Sequence, residues 1–326
     1  MKTVSDLGER KLISLAFQIY KEHNPDVDLS DDCAIIPIND EYFLATSDMI
    51  SEKTHIPQGM TPWQIGWFVT AINLSDIAAK GATPLGLLLS LGMPKSYPEA
   101  SFLNIIKGAS SCATQYDTAI IGGDTKEHDS IVISGTALGK IHQDFFMSRK
   151  GAKPGDVIAV TGSLGKAAAG FYELQNFQKK GAVNSLCEPM PRIKEGRCLA
   201  KTQKVHCSMD LSDGLSSSLY QLAELNNVGF QIDQEKIPIS QTLRYYAKTD
   251  STLDEIHLSL HFGGDYELFL TVPSEYISLL QNKLAKYETS LTVIGKVTEE
   301  KKIFINTSEK KNIVLPNLGY EHLTKE

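Results

Sequence analysis

Apolar and polar positions alternate along the chain in a way that predicts a series of short elements. Residues 6–22 carry Leu12, Leu15, Ala16 and Ile19 on one face at helical spacing, which predicts an amphipathic helix. Two strands follow, 29–38 and 42–47, joined by the turn Asn39-Asp40-Glu41. The next helix has a marked start, Thr61 as N-cap and Pro62 in the first helical position, and a marked stop at Gly81. Inside it Ile65, Phe68, Val69 and Ile72 form an apolar stripe, while Asn73, Asp76 and Lys80 fall on a neighbouring face. Residues 85–91 suit a buried strand, 97–116 a helix, 118–121 a strand ending in Gly122-Gly123-Asp124, and 130–138 a further strand. That order predicts a mixed sheet with helices on one face.

Residues 139–155 have the composition of a connection between domains, and the pattern then restarts. A short strand, 156–160, leads through Thr161-Gly162-Ser163-Leu164-Gly165 into an alanine-rich helix. After a break at Pro189 and Pro191 come a helix over 193–201, a strand end at 208–210, and a helix over 215–226 with Ser212 as its expected N-cap. Strands at 230–233, 266–272 and 292–297 alternate with helices near 239–248 and 274–287. The expected class is α/β (α+β) in two domains, 1–139 and 140–326, at a length that permits two sizeable cores.

Composition narrows the function classes. Hydrophobic content of 42% and charged content of 22% are those of an ordinary globular protein. A net charge of -7 and the lack of a basic run interleaved with aromatics argue against a nucleic-acid binder. No apolar run reaches the roughly 20 residues of a membrane span, and the N-terminal stretch lacks a signal peptide's apolar core. Five widely spaced cysteines without a CxxC pair indicate neither a disulfide framework nor a zinc site, so a cytoplasmic location is expected.

Aspartates carry the candidate chemistry. Asp76 sits in a run of small and apolar residues where an unpaired charge is costly. Its ordinary explanation is an i,i+4 pair with Lys80; the other is a metal ion. Asp31-Asp32, Ser47-Asp48, Gly123-Asp124 and Asp210-Leu211-Ser212-Asp213 lie near expected strand ends or helix starts, where α/β folds build sites. Singly each reads as a turn residue or cap; together they offer hard oxygen ligands suited to Mg²⁺ and a metal-bound polyanion. The glycine loop after residue 160 is not a P-loop, since Val160 and Ala167 stand where glycine and Ser/Thr belong; tight strand-to-helix packing explains it better.

The segments LSDDCAII, LATSDMI with His55 beyond it, AINLSDIAAKGATP, IIGGDT, SRKGAKPGDVIAVTGSLGKAAAG, MDLSDGLSSSL, GGDYELFLTV and LGYEH occur in this order. In them the chain resembles the thiamine-monophosphate kinases, from about residue 5 to 322. Those enzymes share an ATP-binding superfamily with aminoimidazole ribonucleotide synthetase, selenophosphate synthetase and a hydrogenase-maturation protein. The resemblance implies ATP- and Mg²⁺-dependent phosphorylation of thiamine monophosphate to thiamine diphosphate by a homodimer whose N-terminal sheets pack together. It implies metal ligation by Asp32, Thr46, Ser47, Asp48, Asp76, Asp124, Asp210 and Asp213, with catalysis resting on Asp48, Asp76 and Asp124. Gly123, Asp124, Arg149 and Ser212 would contact ATP, and His55 and Tyr320 the thiamine phosphate.

Three positions depart from the family pattern. Ser30 replaces a glycine, Gly264 takes the place of a substrate-contacting glutamate, and Lys126 follows the GGDT segment. The alternatives are an ATP-dependent synthetase of the same superfamily acting on an amide or amidine precursor, and a catalytically silent nucleotide-binding dimer. Selenophosphate synthesis fits less well, because no cysteine precedes Cys33; hydrogenase maturation fits less well, because the chain ends His-Leu-Thr-Lys-Glu.

Overall fold

The computed structural model describes residues 3–177, 184–307, 309 and 311–323; the tail positions 324–326 lie outside them. The N-terminal half contains α1 (Glu9–His23), β1 (Ala34–Ile38), β2 (Glu41–Ser51), α2 (Pro62–Ala79), β3 (Thr83–Met93), α3 (Glu99–Gln115), β4 (Ile120–Glu127) and β5 (Val132–His142). The C-terminal half contains β6 (Val157–Thr161), α4 (Lys166–Phe177), α5 (Asn184–Cys187), α6 (Ile193–Ala200), β7 (Cys207–Asp210), α7 (Leu215–Asn226) and β8 (Gly229–Asp233). It ends with α8 (Gln241–Thr249), α9 (Glu255–His261), β9 (Leu268–Val272), α10 (Ile277–Ala285), β10 (Leu291–Thr298), β11 (Ile303–Asn306) and β12 (Asn312–Val314).

The first sheet runs β1-β2-β5-β3-β4 and is mixed, since β3 and β4 pair in parallel and the other neighbours are antiparallel. Helices α2 and α3 cover one face. The opposite face carries exposed Met49, Leu88 and Ile121. The second sheet runs β12-β11-β8-β10-β6-β9-β7, with β8 and β11 parallel.

Several expected boundaries move, each for a local reason. The first strand begins at Ala34 rather than residue 29, because Asp31 and Asp32 turn inward to meet cations. The strand expected to stop at residue 121 continues through Gly122, Gly123 and Asp124 to Glu127 as a parallel edge strand beside β3. β5 extends to His142, so part of the expected connection is strand, paired with β2 as far as Glu41. Ser212 does not cap α7. Gly214 occupies the N-cap with a left-handed φ of 90°.

Helix α2 positions the site. Thr61 and Gln64 form a capping box and Pro62 opens the first turn, as the sequence predicts. Its apolar surface is not a stripe, because the helix is buried on all sides. Ile65, Phe68, Val69 and Ile72 pack with Leu89 and Ile133 of the first sheet. Ala71, Leu74 and Ala78 share a core with Leu268 and Leu270 of β9. α2 is therefore sandwiched between the two halves. Gly66 and Gly108 let α2 and α3 touch backbone to backbone, since a Cβ on either would meet a carbonyl oxygen at 1.8 Å.

Candidate functional site

Sealed between the halves, α2 still carries polar side chains, and they converge on acids from other elements. Thr46 of β2 donates its hydroxyl to Asp76 at 2.5 Å. Ser75 donates to Asp210, at the end of β7, at 2.6 Å. Asn73 accepts the backbone N–H of Asp48 at 3.0 Å and is held by the Val69 carbonyl at 2.8 Å. Gly135 on β5 leaves room for that amide, since a Cβ there would sit 2.4 Å from the Asn73 nitrogen. Carboxylate oxygens of Asp32, Asp76 and Asp210 all lie within 4.8 Å of one another.

The electrostatics are those of a cation site. Burial pushes Asp76 well above the usual carboxylate range, and Asp48 and Asp210 push it further. Burial, then the charge of Asp32, raises Asp210 to about 7 and Asp48 to about 6. Burial and Glu9 raise Asp213. Oxygen donors alone, crowded to the point of mutual repulsion, fit a hard divalent ion such as Mg²⁺.

Lys80 does not pair with Asp76. Its fully buried ammonium lies 2.5 Å from Asp31, 2.7 Å from Asp32 and 3.1 Å from the Ser208 carbonyl oxygen. The second oxygen of Asp31 accepts from the Ser148 hydroxyl and the Arg149 backbone N–H, and the Arg149 guanidinium pairs with Asp32. Lys80 thus joins the site, where the sequence offers it only as the partner of Asp76, and Asp31, one of the aspartates offered as ligands, is instead taken up with cations and N–H and O–H donors. Tyr266 joins the site too. It is buried at a left-handed φ of 50°, packs edge-on against Phe68, and its hydroxyl is raised by burial and by Asp48, Asp210 and Asp213. Neither that conformation nor the surrounding acids is visible in the sequence, where Tyr266 reads as part of a strand.

Other expected residues fall elsewhere. Asp124 is exposed, 3.4 Å from the Lys126 ammonium, in a cross-strand row with Ser90, Ser134 and Met49. Ser47 donates to the Gly135 carbonyl at 2.9 Å and adjoins Thr136. Within one chain neither Asp124 nor Ser47 joins the buried cluster, and Gly123 lies beside Asp124 on the same edge strand.

A second cluster lies over Asp213. The Tyr320 backbone N–H donates to the Asp213 carbonyl at 3.3 Å. The Tyr320 hydroxyl is 3.2 Å from His322, whose ring lies 5.0 Å from that of His55. Burial, then His322, pulls His55 down to about 4, so its ring is neutral at physiological pH. Glu9 and His322 clasp each other: the Glu9 N–H donates to the His322 carbonyl, and the His322 N–H to the Glu9 carboxylate, both at 3.1 Å. Gly264 donates its N–H to the Ser212 carbonyl at 2.7 Å, at a φ of 95°.

The glycine loop binds a carboxylate rather than a phosphate. The Gly165 and Ala167 N–H groups, at the start of α4, donate to Asp265 at 2.6 and 3.0 Å. A Cβ at Gly162 would strike Glu267 at 2.0 Å, and one at Gly165 would strike Leu243 at 2.4 Å. The loop is thus a packing device.

Comparison with known proteins identifies the family of the whole chain. Residues 30–141 match the N-terminal domain of AIR synthase related proteins, and residues 153–307 match the C-terminal domain. The chain is 36% identical to the thiamine-monophosphate kinase of Methanospirillum hungatei, over 90% of this chain and 93% of that one. It is 33% identical to that of Pyrococcus horikoshii, over 98% and 97%. A solved structure of AaThiL complexed with AMPPCP and TMP superposes with a TM-score of 0.86 at 28% identity, over 99% of both chains. On these matches the chain belongs to the thiamine-monophosphate kinase family of AIR synthase related proteins.

Proposed function

We propose that the chain transfers the γ-phosphoryl group of ATP to the phosphate of thiamine monophosphate, giving thiamine diphosphate and ADP. The observation that carries this reading is the full-length likeness to the structure complexed with AMPPCP and TMP, since the buried acids here have the chemistry such a nucleotide complex requires.

Asp32, Asp76 and Asp210, with Asp48 and Thr46 beside them, would hold Mg²⁺, and Asp213 a further ion. Bound there, Mg²⁺ would neutralise the phosphate charges that otherwise keep two anionic reactants apart. The chain's own part is positioning. α2 holds Asp76 between the halves, Thr46 and Ser75 orient the carboxylates, and Arg149, paired with Asp32, would contact the nucleotide phosphates. Ser212 lies on the loop between β7 and α7, next to Asp210, where a nucleotide would meet it. No general base is needed, because the acceptor phosphate, with a second pKa near 6, is largely ionised at neutral pH. The neutral ring of His55 and the ring of Tyr320 offer thiamine monophosphate an aromatic wall that does not repel its cationic ring.

The working unit in this proposal is a cytoplasmic homodimer. The uncovered face of the first sheet, with Met49, Leu88 and Ile121 exposed, is the surface on which a second copy would sit. That seating would bring Gly123, Asp124 and Ser47 to an interface, where a nucleotide shared between copies could use them. The test of the activity is one incubation with ATP, Mg²⁺ and thiamine monophosphate, with products separated by mass. ADP and thiamine diphosphate are expected. ATP that binds without any turnover would overturn the reading.

A further inference from the structure

Asp32 is the one acid of the buried cluster that already has cations on both oxygens, and the two cations are held very differently. The Lys80 ammonium is wholly buried and has three oxygen partners: Asp31 at 2.5 Å, Asp32 at 2.7 Å and the Ser208 carbonyl at 3.1 Å. Oxygen atoms from two carboxylates and a carbonyl make up the kind of shell a bound metal ion collects. The Arg149 side chain, by contrast, is partly exposed. We infer that Lys80 is a built-in counter-cation that takes the place of a metal ion at the Asp31–Asp32 end of the cluster and fixes Asp32 for ligation.

The inference follows from charge and access. Five acids, Asp31, Asp32, Asp48, Asp76 and Asp210, meet around α2 with little water to screen them, and α2 itself supplies one cation to the group. Lys80 reaches it from the last turn of its own helix and so cannot diffuse away. Asp31 spends its second oxygen on the Ser148 hydroxyl and the Arg149 N–H, which leaves it committed to holding Lys80 rather than a metal. Asp32 has one oxygen beside Lys80 and the other beside Arg149. Lys80 is in this sense a positioning residue, acting through Asp32.

The test is thermal unfolding of Lys80→Met against added MgCl₂, with wild type alongside. If Lys80 does a cation's work, the variant has a lower Tm than wild type without Mg²⁺, and at saturating Mg²⁺ at least half of that deficit disappears, because an added ion takes the vacated place. Titration calorimetry should then show a higher Mg²⁺ stoichiometry than in wild type. A deficit that Mg²⁺ leaves unchanged is what a packing role alone would give, and it would overturn the inference. Should Lys80→Met not fold at any Mg²⁺ concentration, the double variant Asp31→Asn with Lys80→Met decides. Removing one acid along with the cation should restore folding, and failure to do so overturns the inference. The argument rests on the cluster being a Mg²⁺ site. A wild-type Tm indifferent to Mg²⁺ would overturn that reading, whereas a Mg²⁺-insensitive deficit in the variant overturns only the role given to Lys80.

Discussion

Asp76 faces Thr46 on one side and two other raised carboxylates on the other, so its charge is a cost that folding alone does not recover. Replacing it with asparagine removes a ligand and also relieves repulsion. Asp76→Asn should therefore lose at least about 100-fold in turnover, the scale of removing one preorganised charge-stabilising group, while its metal-free Tm stays level or rises. A variant with near wild-type turnover at saturating Mg²⁺ would remove Asp76 from the site. The same residues set a pH dependence. Asp48 and Asp210 have folded-state pKa values raised to about 6 and about 7, above the ordinary carboxylate value of an unfolded chain. The folded chain thus holds more protons than the unfolded one from about pH 4 up to about pH 7, so stability falls across that window and levels off above it. The metal-free Tm should fall over that window and the gain on adding Mg²⁺ should grow, since ions replace the lost protons; a gain that does not vary with pH would contradict this.

At the scale of elements, α2 shows what could and could not be read in advance. Its start at Pro62, its stop at Gly81 and the oddity of Asp76 were all visible, because caps and a lone acid are local signals. The partner of Lys80 was not visible, because i,i+4 spacing points to Asp76 whereas Asp31 lies 49 positions away. The two-sided burial of the helix was missed for a similar reason. An apolar stripe identifies one packed face, and the polar residues of the other, Asn73, Ser75 and Lys80, look solvent-facing until the second half of the chain covers them. The strands of the first sheet are legible in the sequence, but β11 and β12 of the second are not. Nor is the extension of β4 through Gly122-Gly123, because glycines usually end strands and here they permit an edge pairing. Contact between α2 and α3 depends on Gly66 and Gly108. Gly108→Ala would push a methyl to 1.8 Å from the Trp63 carbonyl oxygen and prise the helices apart. Denaturant unfolding should show a loss of about 1–3 kcal/mol or more, with reduced activity from a displaced Asp76. An unchanged midpoint would mean that the helix pair is not rigid.

For the molecule as a whole, the uncovered sheet face is the main surface left to explain. Leu88 is 38% exposed and Met49 61% exposed beside a row of serines and Asp124. Leu88→Asp would place a charge at the centre of the proposed interface. Sedimentation velocity should show a wild-type dimer and a variant shifted to monomer, with turnover falling in step as the protein is diluted. A wild-type chain that sediments as a monomer at working concentration would rule out that use of the face. Gly264 belongs to this scale too. Its left-handed backbone ties the segment before β9 to the Ser212 carbonyl, on the loop that carries Asp213.

The clasp between Glu9 and His322 spans 313 positions of the chain, and it has a consequence for the order in which a nascent chain matures. All the acids of the buried cluster have been synthesised once residue 213 is made, whereas the wall formed by Tyr320 and His322 waits for the last stretch to emerge. Among the described residues, strand β7, which carries Asp210, pairs with β9, so a chain still on the ribosome would bring its acids together only once residue 272 is made, yet before its last residues emerge. Its earliest residues would stay unanchored until the latest ones arrived.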